Sequence, residues 1–126
     1  MSNLAETAFK LRSPNFRSVQ VTAPSGGYTA GQLVQLNSGV IGIVVETATV
    51  GEEVAVVTWA EKAVVPSVAV ATGAFLVGAP VYYDVADDEI NESSSGNHMC
   101  GFVTEPGVTG AETVEIEFNG ALALVD

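Results

Sequence analysis

The stretch TVEIEF, residues 113–118, decides the fold class of this 126-residue chain. Its apolar members, Val114, Ile116 and Phe118, alternate with two glutamates, so the two sets point to opposite faces of an extended strand. This period of two is typical of a β-strand with one face in a core and the other in solvent. We therefore expect the three apolar side chains to be buried and both glutamates to be exposed or at an interface.

Short apolar runs of similar character recur along the chain, and its 13 glycines separate them. The further strand candidates are SVQVT, QLVQL, VIGIVV, EVAVVTW, KAVVPSV, PVYYD and MCGFVT. VIGIVV (40–45) is apolar on both faces, which indicates burial on both sides. Helix signals are nearly absent. The pattern predicts an all-β fold, a small β-barrel or sandwich of short strands.

An internal similarity suggests that the fold contains two related units. GIVVETATVGEE (42–53) and GFVTEPGVTGAE (101–112) align without gaps at an offset of 59 residues. GQLV and GAPV each open a strand upstream, so each unit reads as strand, hairpin, strand, loop, strand. We predict that two similar β units close one barrel.

The two ends of the chain differ from this pattern. Residues 1–17 are mixed and polar, are interrupted by Pro14 and have no periodicity. We interpret them as an extended N-terminal arm that orders against a partner, and residues 18–126 as a single β domain. Near the C-terminus, Asn119-Gly120 is a hairpin signal. The ALALV that follows is expected to pack as a final strand or against a neighbouring subunit.

Charge is distributed unevenly along the chain. The net charge is −11, yet three of the four cations lie within the first 17 residues, and fourteen of the fifteen acidic residues follow residue 20. An acidic body argues against binding to nucleic acid or to anionic membranes. The basic N-terminal segment suits an acidic partner. We expect its anchors to be two aromatic and three cationic residues: Phe9, Lys10, Arg12, Phe16 and Arg17.

Few features of the sequence indicate the cellular compartment of the protein. One cysteine excludes an intrachain disulfide and fits folding in a reducing cytoplasm. Neither a signal-peptide pattern nor an apolar stretch of roughly 20 residues is present, so we expect a soluble protein.

The acidic segment Asp84 to Asn97 is the most conspicuous candidate site. It lacks the glycine that a calcium loop needs at its sixth position, and it follows a strand rather than a helix. We predict an exposed, mobile hairpin tip without metal. His98 is the only histidine, so a structural zinc site with Cys100 is not expected, and Cys100 is predicted to be buried. Trp59 is interpreted as a core aromatic that closes a strand.

Glycine turns such as PSGG match no nucleotide-binding motif. The residues therefore predict no catalytic site, no metal and no cofactor.

The ordered set of short motifs resembles the small capsid decoration (cement) proteins of tailed bacteriophages, similar in role to the lambda head decoration protein. The resemblance covers about residues 19–118. The matching residues are Gly31 and Val34, Gly42 to Val44, Gly51 to Val54, Val65-Pro66, Gly78 with Val81 to Asp84, Gly101 to Val103, and Val114 to Phe118. YYD where the family often has YWD, the long acidic hairpin and the long arm depart from the family pattern.

The resemblance implies a structural protein of the virion that is not an enzyme. Such proteins are made in the host bacterial cytoplasm and assemble, usually as homotrimers, on the outer surface of the icosahedral head. There they bind the major capsid protein and stabilise contacts between its copies.

Two alternatives from other classes remain open on the residues alone. One is a carbohydrate- or host-surface-binding β module on the virion, using Trp59, Tyr28, Tyr82 and Tyr83. The other is a small enzyme at a subunit interface, where His98 meets acidic residues of a neighbour.

Overall fold

The computed structural model describes residues 10–11 and 15–124 and is built almost entirely of β-structure. Nine strands are present in this part of the chain. They are β1 (Lys10–Leu11), β2 (Phe16–Thr22), β3 (Leu33–Gln35), β4 (Ile41–Val44), β5 (Glu53–Pro66), β6 (Pro80–Asp84), β7 (Glu89–Asn91), β8 (His98–Val103) and β9 (Thr113–Asn119). A 3₁₀ helix, Gly120–Leu124, follows the last strand.

Seven of the strands form a nearly closed antiparallel barrel in the order β3-β4-β5-β9-β8-β6-β7. The predicted all-β class is confirmed, and the structure is a barrel rather than a sandwich. Strand β7, at one end of this path, approaches the end of β5, where Ser67 forms a parallel bridge with Ile90. The amide of Val68 donates a hydrogen bond of 2.9 Å to the Ile90 carbonyl oxygen.

Strand β5 organises the barrel because its 14 residues serve several neighbours. Along one edge it pairs with β4 and then with β9. It also pairs with β2 and, further along, with β1, and neither of these strands lies on the barrel path. Thus Lys10, Phe16 and Arg17 lie on strands that run antiparallel to β5.

The core contains the side chains that the alternating pattern of β9 predicts. Val114, Ile116 and Phe118 are buried, as expected. Glu117 is exposed, whereas Glu115 is half-buried and accepts a hydrogen bond of 2.8 Å from the Thr104 hydroxyl. All four residues of β4 are buried, which confirms the prediction for the doubly apolar run. Cys100 is buried as well.

The predicted duplication is confirmed by repeated main-chain hydrogen bonds. Residues 16–58 form unit 1 and residues 63–119 form unit 2. In unit 1, the amide of Gly31 donates to the carbonyl of Val44 at 2.7 Å, and in unit 2 Gly78 donates to Val103 at 2.8 Å. Six further bonds repeat in the same way. They are Val44 to Gln32 and Val103 to Ala79, Gly51 to Ala23 and Gly110 to Val70, and Ala48 to Tyr28 and Gly107 to Phe75.

The two units differ by an insertion between β6 and β8. The acidic segment Asp84 to Asn97 occupies this place, where unit 1 has only the short turn between β3 and β4. The predicted single exposed hairpin tip is wrong, because β7 interrupts the segment and pairs with β6. Ile90, at the centre of β7, is fully buried in the main core. An aliphatic side chain among carboxylates thus anchors the segment to the barrel.

The hairpin predicted at Asn119-Gly120 is also wrong. The chain enters the 3₁₀ helix there, and the Asn119 side-chain oxygen accepts a hydrogen bond of 3.1 Å from the Ala121 amide. Gly120 is buried, and a β-carbon at this position would collide with the carbonyl group of Ile41. Glycine is therefore required for close approach of two backbones rather than for a tight turn.

Candidate functional site

Strand β2 is the most exposed strand whose side chains the structure describes. Six of its seven residues are exposed, and Phe16 and Val19 keep 45% and 43% of their surfaces accessible. Within the described residues, β2 pairs with β5 alone. Its other edge therefore offers main-chain hydrogen-bonding groups that no described strand covers.

A groove of about 650 Å³ lies beside β2. It is lined by Arg17 and Val19 of β2, by Leu36, Ser38 and Val40 after β3, and by Trp59 of β5, among others. None of the residues that line it is acidic. The chain has fifteen acidic residues, so the absence of negative charge from this groove distinguishes it from most of the molecule.

Arg17 and Trp59 are cross-strand partners on β2 and β5. The guanidinium carbon of Arg17 lies over the indole ring, 5.9 Å from its centroid, which is the geometry of a cation–π contact. Trp59 is half-buried rather than part of the core, so its interpretation as a core aromatic is wrong. Trp59 also lines the groove, so its ring is accessible from there.

The structure locates the five predicted arm residues in different ways. Phe16 and Arg17 begin β2, and Lys10 belongs to β1, where its backbone pairs with Val64. Phe9 and Arg12 lie outside the described residues. The division between an arm over residues 1–17 and a β domain over residues 18–126 stays a prediction.

Folding places Lys62 on the strand that pairs with two of the N-terminal cations, Lys10 and Arg17. Lys62 is exposed on β5, next to Ala63, whose partner across the strands is Leu11 of β1. In β5, Lys62 lies between Trp59, which pairs with Arg17, and Val64, which pairs with Lys10, although it is far from both cations in sequence. Long-range pairing of β5 produces this arrangement, so the sequence offers no local signal for it.

The acidic segment is organised by hydrogen bonds around its first turn. The Tyr83 hydroxyl donates to the Asp88 carboxylate, and the Asp84 carboxylate accepts hydrogen bonds from the amides of Ala86 and Asp87. Burial, followed by the bond to Asp88, raises the pKa of the Tyr83 hydroxyl well above its usual range. These contacts hold the turn against the barrel.

Glu89 lies at the start of β7, close to other carboxylates. Its pKa is raised, first by partial burial and then by the negative charges of Asp87, Asp84 and Glu112. Among the described residues, no group of three or more histidine, cysteine, aspartate or glutamate side chains is placed to hold a metal ion.

Two loops of unit 2 expose a second apolar surface, which we call the loop patch. It comprises Leu76 and Val77, each 62% exposed, and Val108, which is 70% exposed. The Gly107 amide donates a hydrogen bond of 3.0 Å to the carbonyl of buried Phe75, so the two loops are joined. No charged residue occurs between Lys62 and Asp84, the segment that contains most of this patch.

No helix in the described part of the chain is long and apolar enough to cross a membrane.

The described residues thus combine a small barrel with an exposed edge strand, an apolar groove and an apolar loop patch, and exposed apolar surfaces of this kind often mark interaction sites. The chain matches the family model of the phage cement proteins over residues 13–118, and it therefore belongs to the phage cement protein family. This family is structural, and its name implies a location on the phage capsid. No curated protein and no solved structure matches the chain.

Proposed function

We propose that this protein is a capsid decoration protein that binds the outside of the icosahedral head. There it stabilises contacts between neighbouring copies of the major capsid protein. The observation that carries this proposal is the match to the phage cement family over residues 13–118. The barrel agrees with it, because a compact β-body with an exposed edge can bridge adjacent subunits without rearranging.

The N-terminal segment is the proposed capsid contact, through Phe9, Lys10, Arg12, Phe16 and Arg17. Support comes from the exposure of Phe16 and Arg17 on β2. Three of the four cations lie in this segment of an otherwise acidic molecule, and such a segment is oriented towards an acidic surface. The acidic remainder then faces solvent, and no nucleic acid, membrane or cofactor takes part.

Self-association is proposed to produce a homotrimer through the loop patch. Copies with a net charge of −11 repel one another, and contact costs least where charged residues are absent. Leu76, Val77 and Val108 supply such a surface, and burying it removes apolar area from water. Synthesis in the host bacterial cytoplasm completes the proposal.

The proposal is tested with heads assembled without this protein. Purified full-length protein is added, and both its binding and the melting temperature of the heads are measured. We expect saturable binding and more heat-resistant heads, whereas failure to bind at any concentration contradicts the proposed function.

A truncated chain lacking residues 1–17 tests the arm. It is expected to keep the folded barrel, measured by its circular dichroism and cooperative melting, and to bind heads weakly. Equal binding by the folded truncated chain and by the full chain contradicts the role of the arm.

A further inference from the structure

The duplication allows each unit to serve as a reference for the other. Strands β3 and β4 of unit 1 correspond to β6 and β8 of unit 2, since Val34 pairs with Gly42 as Val81 pairs with Gly101. Likewise, the loops after β2 and after the end of β5 carry the same hydrogen bonds. The end of β5 therefore occupies in unit 2 the place of β2 in unit 1.

In unit 2, strand β7 fills the space between β6 and the end of β5. It pairs with β6 through Tyr83 and Ile90, and it contacts the end of β5 through the bridge between Ser67 and Ile90. The Ile90 side chain is fully buried, with Glu89 before it. One short strand, glutamate–isoleucine–asparagine, thus completes this side of the barrel.

Unit 1 has no equivalent of β7 among the described residues. The corresponding space lies between β2 and the short turn after β3, and the groove is located there, between Val19 on one side and Leu36 and Val40 on the other. Trp59 remains half-exposed in it, and six residues of β2 remain exposed. Unit 1 is therefore open at the place where unit 2 is closed by its own chain.

The chemistry of the groove indicates what completes it. Its apolar lining suits a branched aliphatic side chain, as Ile90 shows in unit 2. Arg17, its single charged residue, suits a carboxylate on the incoming segment. The uncovered edge of β2 offers hydrogen bonds to an extended backbone, which is the usual way in which a strand is added to a sheet edge.

We propose that the groove of unit 1 binds an extended segment of the major capsid protein, which takes the place that β7 occupies in unit 2. The segment presents a branched aliphatic residue to Trp59 and Leu36 and a neighbouring carboxylate to Arg17. This inference rests on the proposed function and adds to it the docking site and the chemistry of the bound segment.

Photocrosslinking on undecorated heads identifies the occupant. A benzophenone amino acid replaces Ser38, an exposed residue on the groove, and in a control it replaces Val50, which is 64% exposed and does not line the groove. We expect residue 38 to crosslink to one segment of the major capsid protein, and residue 50 not to crosslink to it. A crosslink from residue 38 to the same chain or to a second copy would overturn the proposal.

Charge reversal then tests the role of Arg17. Arg17→Glu and Lys62→Glu change the net charge equally, and both residues are exposed, but only Arg17 lines the groove. Arg17→Glu is expected to weaken binding to heads about tenfold or more, and Lys62→Glu less than about threefold. Equal effects of the two substitutions, or no effect of Arg17→Glu, contradict the docking site.

These outcomes are distinct from failure of the proposed function. If the unsubstituted protein does not bind heads at all, the proposed function is wrong. If the unsubstituted protein binds and both Arg17→Glu and the residue-38 crosslink behave like their controls, only the groove assignment is wrong. Melting of each variant in free solution establishes that the substituted chains are folded.

Discussion

The guanidinium group of Arg17 lies over the indole ring of Trp59, its cross-strand partner, at 5.9 Å from the ring centroid. Trp59 is the only tryptophan of the chain, so its fluorescence reports directly on the groove. The contact joins the start of the exposed strand β2 to β5, the long strand that organises the barrel.

Removal of the Arg17 side chain is expected to expose Trp59. The substitution Arg17→Ala uncovers one face of the indole ring, and acrylamide should then quench its fluorescence more strongly than in the unsubstituted protein. Lys62→Ala removes an equal charge without touching the groove and serves as the control. Unchanged quenching in Arg17→Ala would show that the guanidinium does not cover the ring in solution.

Truncation of Phe118 should destabilise the barrel strongly. The ring is fully buried on β9 and belongs to the main core. Phe118→Ala is expected to lower the free energy of unfolding by about 3–5 kcal/mol, because it removes apolar contacts and leaves a cavity. Chemical denaturation measures the change. A loss below about 1 kcal/mol would contradict burial of the ring.

Substitution of two glycines by alanine should distinguish the cost of steric crowding from the cost of backbone strain. A β-carbon on Gly101 would collide with the carbonyl group of Glu117, whereas Gly110 has open space around it but a φ of 87°. Gly101→Ala should therefore cost about 3 kcal/mol or more, because two strands must move apart. Gly110→Ala should cost only about 1–2 kcal/mol, for the left-handed conformation. Equal losses in denaturant titrations would mean that β8 and β9 are less closely packed than described.

Glu89 should make stability depend on pH. Its pKa is raised in the folded state, so the folded protein disfavours the charged form and loses stability as pH rises through that pKa. Glu89→Gln is expected to raise the melting temperature near neutral pH, and to do so less at about pH 4, where more of the glutamate is protonated. Added salt should reduce the difference. Exposed Glu117, replaced by Gln, is the control. A gain in melting temperature for Glu89→Gln that becomes larger on acidification would contradict the prediction.

A charge in the loop patch should disrupt self-association. Leu76 is 62% exposed, so Leu76→Asp should leave the fold intact while it places a carboxylate on the proposed contact between acidic copies. Sedimentation velocity is expected to show a trimer for the unsubstituted chain and a monomer for Leu76→Asp. Val50→Asp introduces the same charge at a similarly exposed turn outside the patch. Identical sedimentation of all three proteins would rule out the patch as the contact.

The sequence alone determined the features that depend on neighbouring residues. Alternation in residues 113–118 predicted which side chains of β9 enter the core, since side-chain direction follows from the period of a strand. The offset of 59 predicted the duplication, because equivalent turns need glycine at equivalent places: Gly51 and Gly110 have φ of 88° and 87°. The all-β class follows from the same local patterns.

Only the tertiary structure decided the features that depend on distant residues. The acidic segment has the local pattern of a single loop, yet Ile90 pairs with Ser67, which lies far away in sequence and is brought near by closure of the barrel. Asn119-Gly120 is locally a typical hairpin sequence. Glycine is required there because the backbone of Ile41 leaves no space for a β-carbon. The groove likewise exists because antiparallel pairing sets Arg17 against Trp59. Such pairings arise from the path of the whole chain, so no local pattern of residues encodes them.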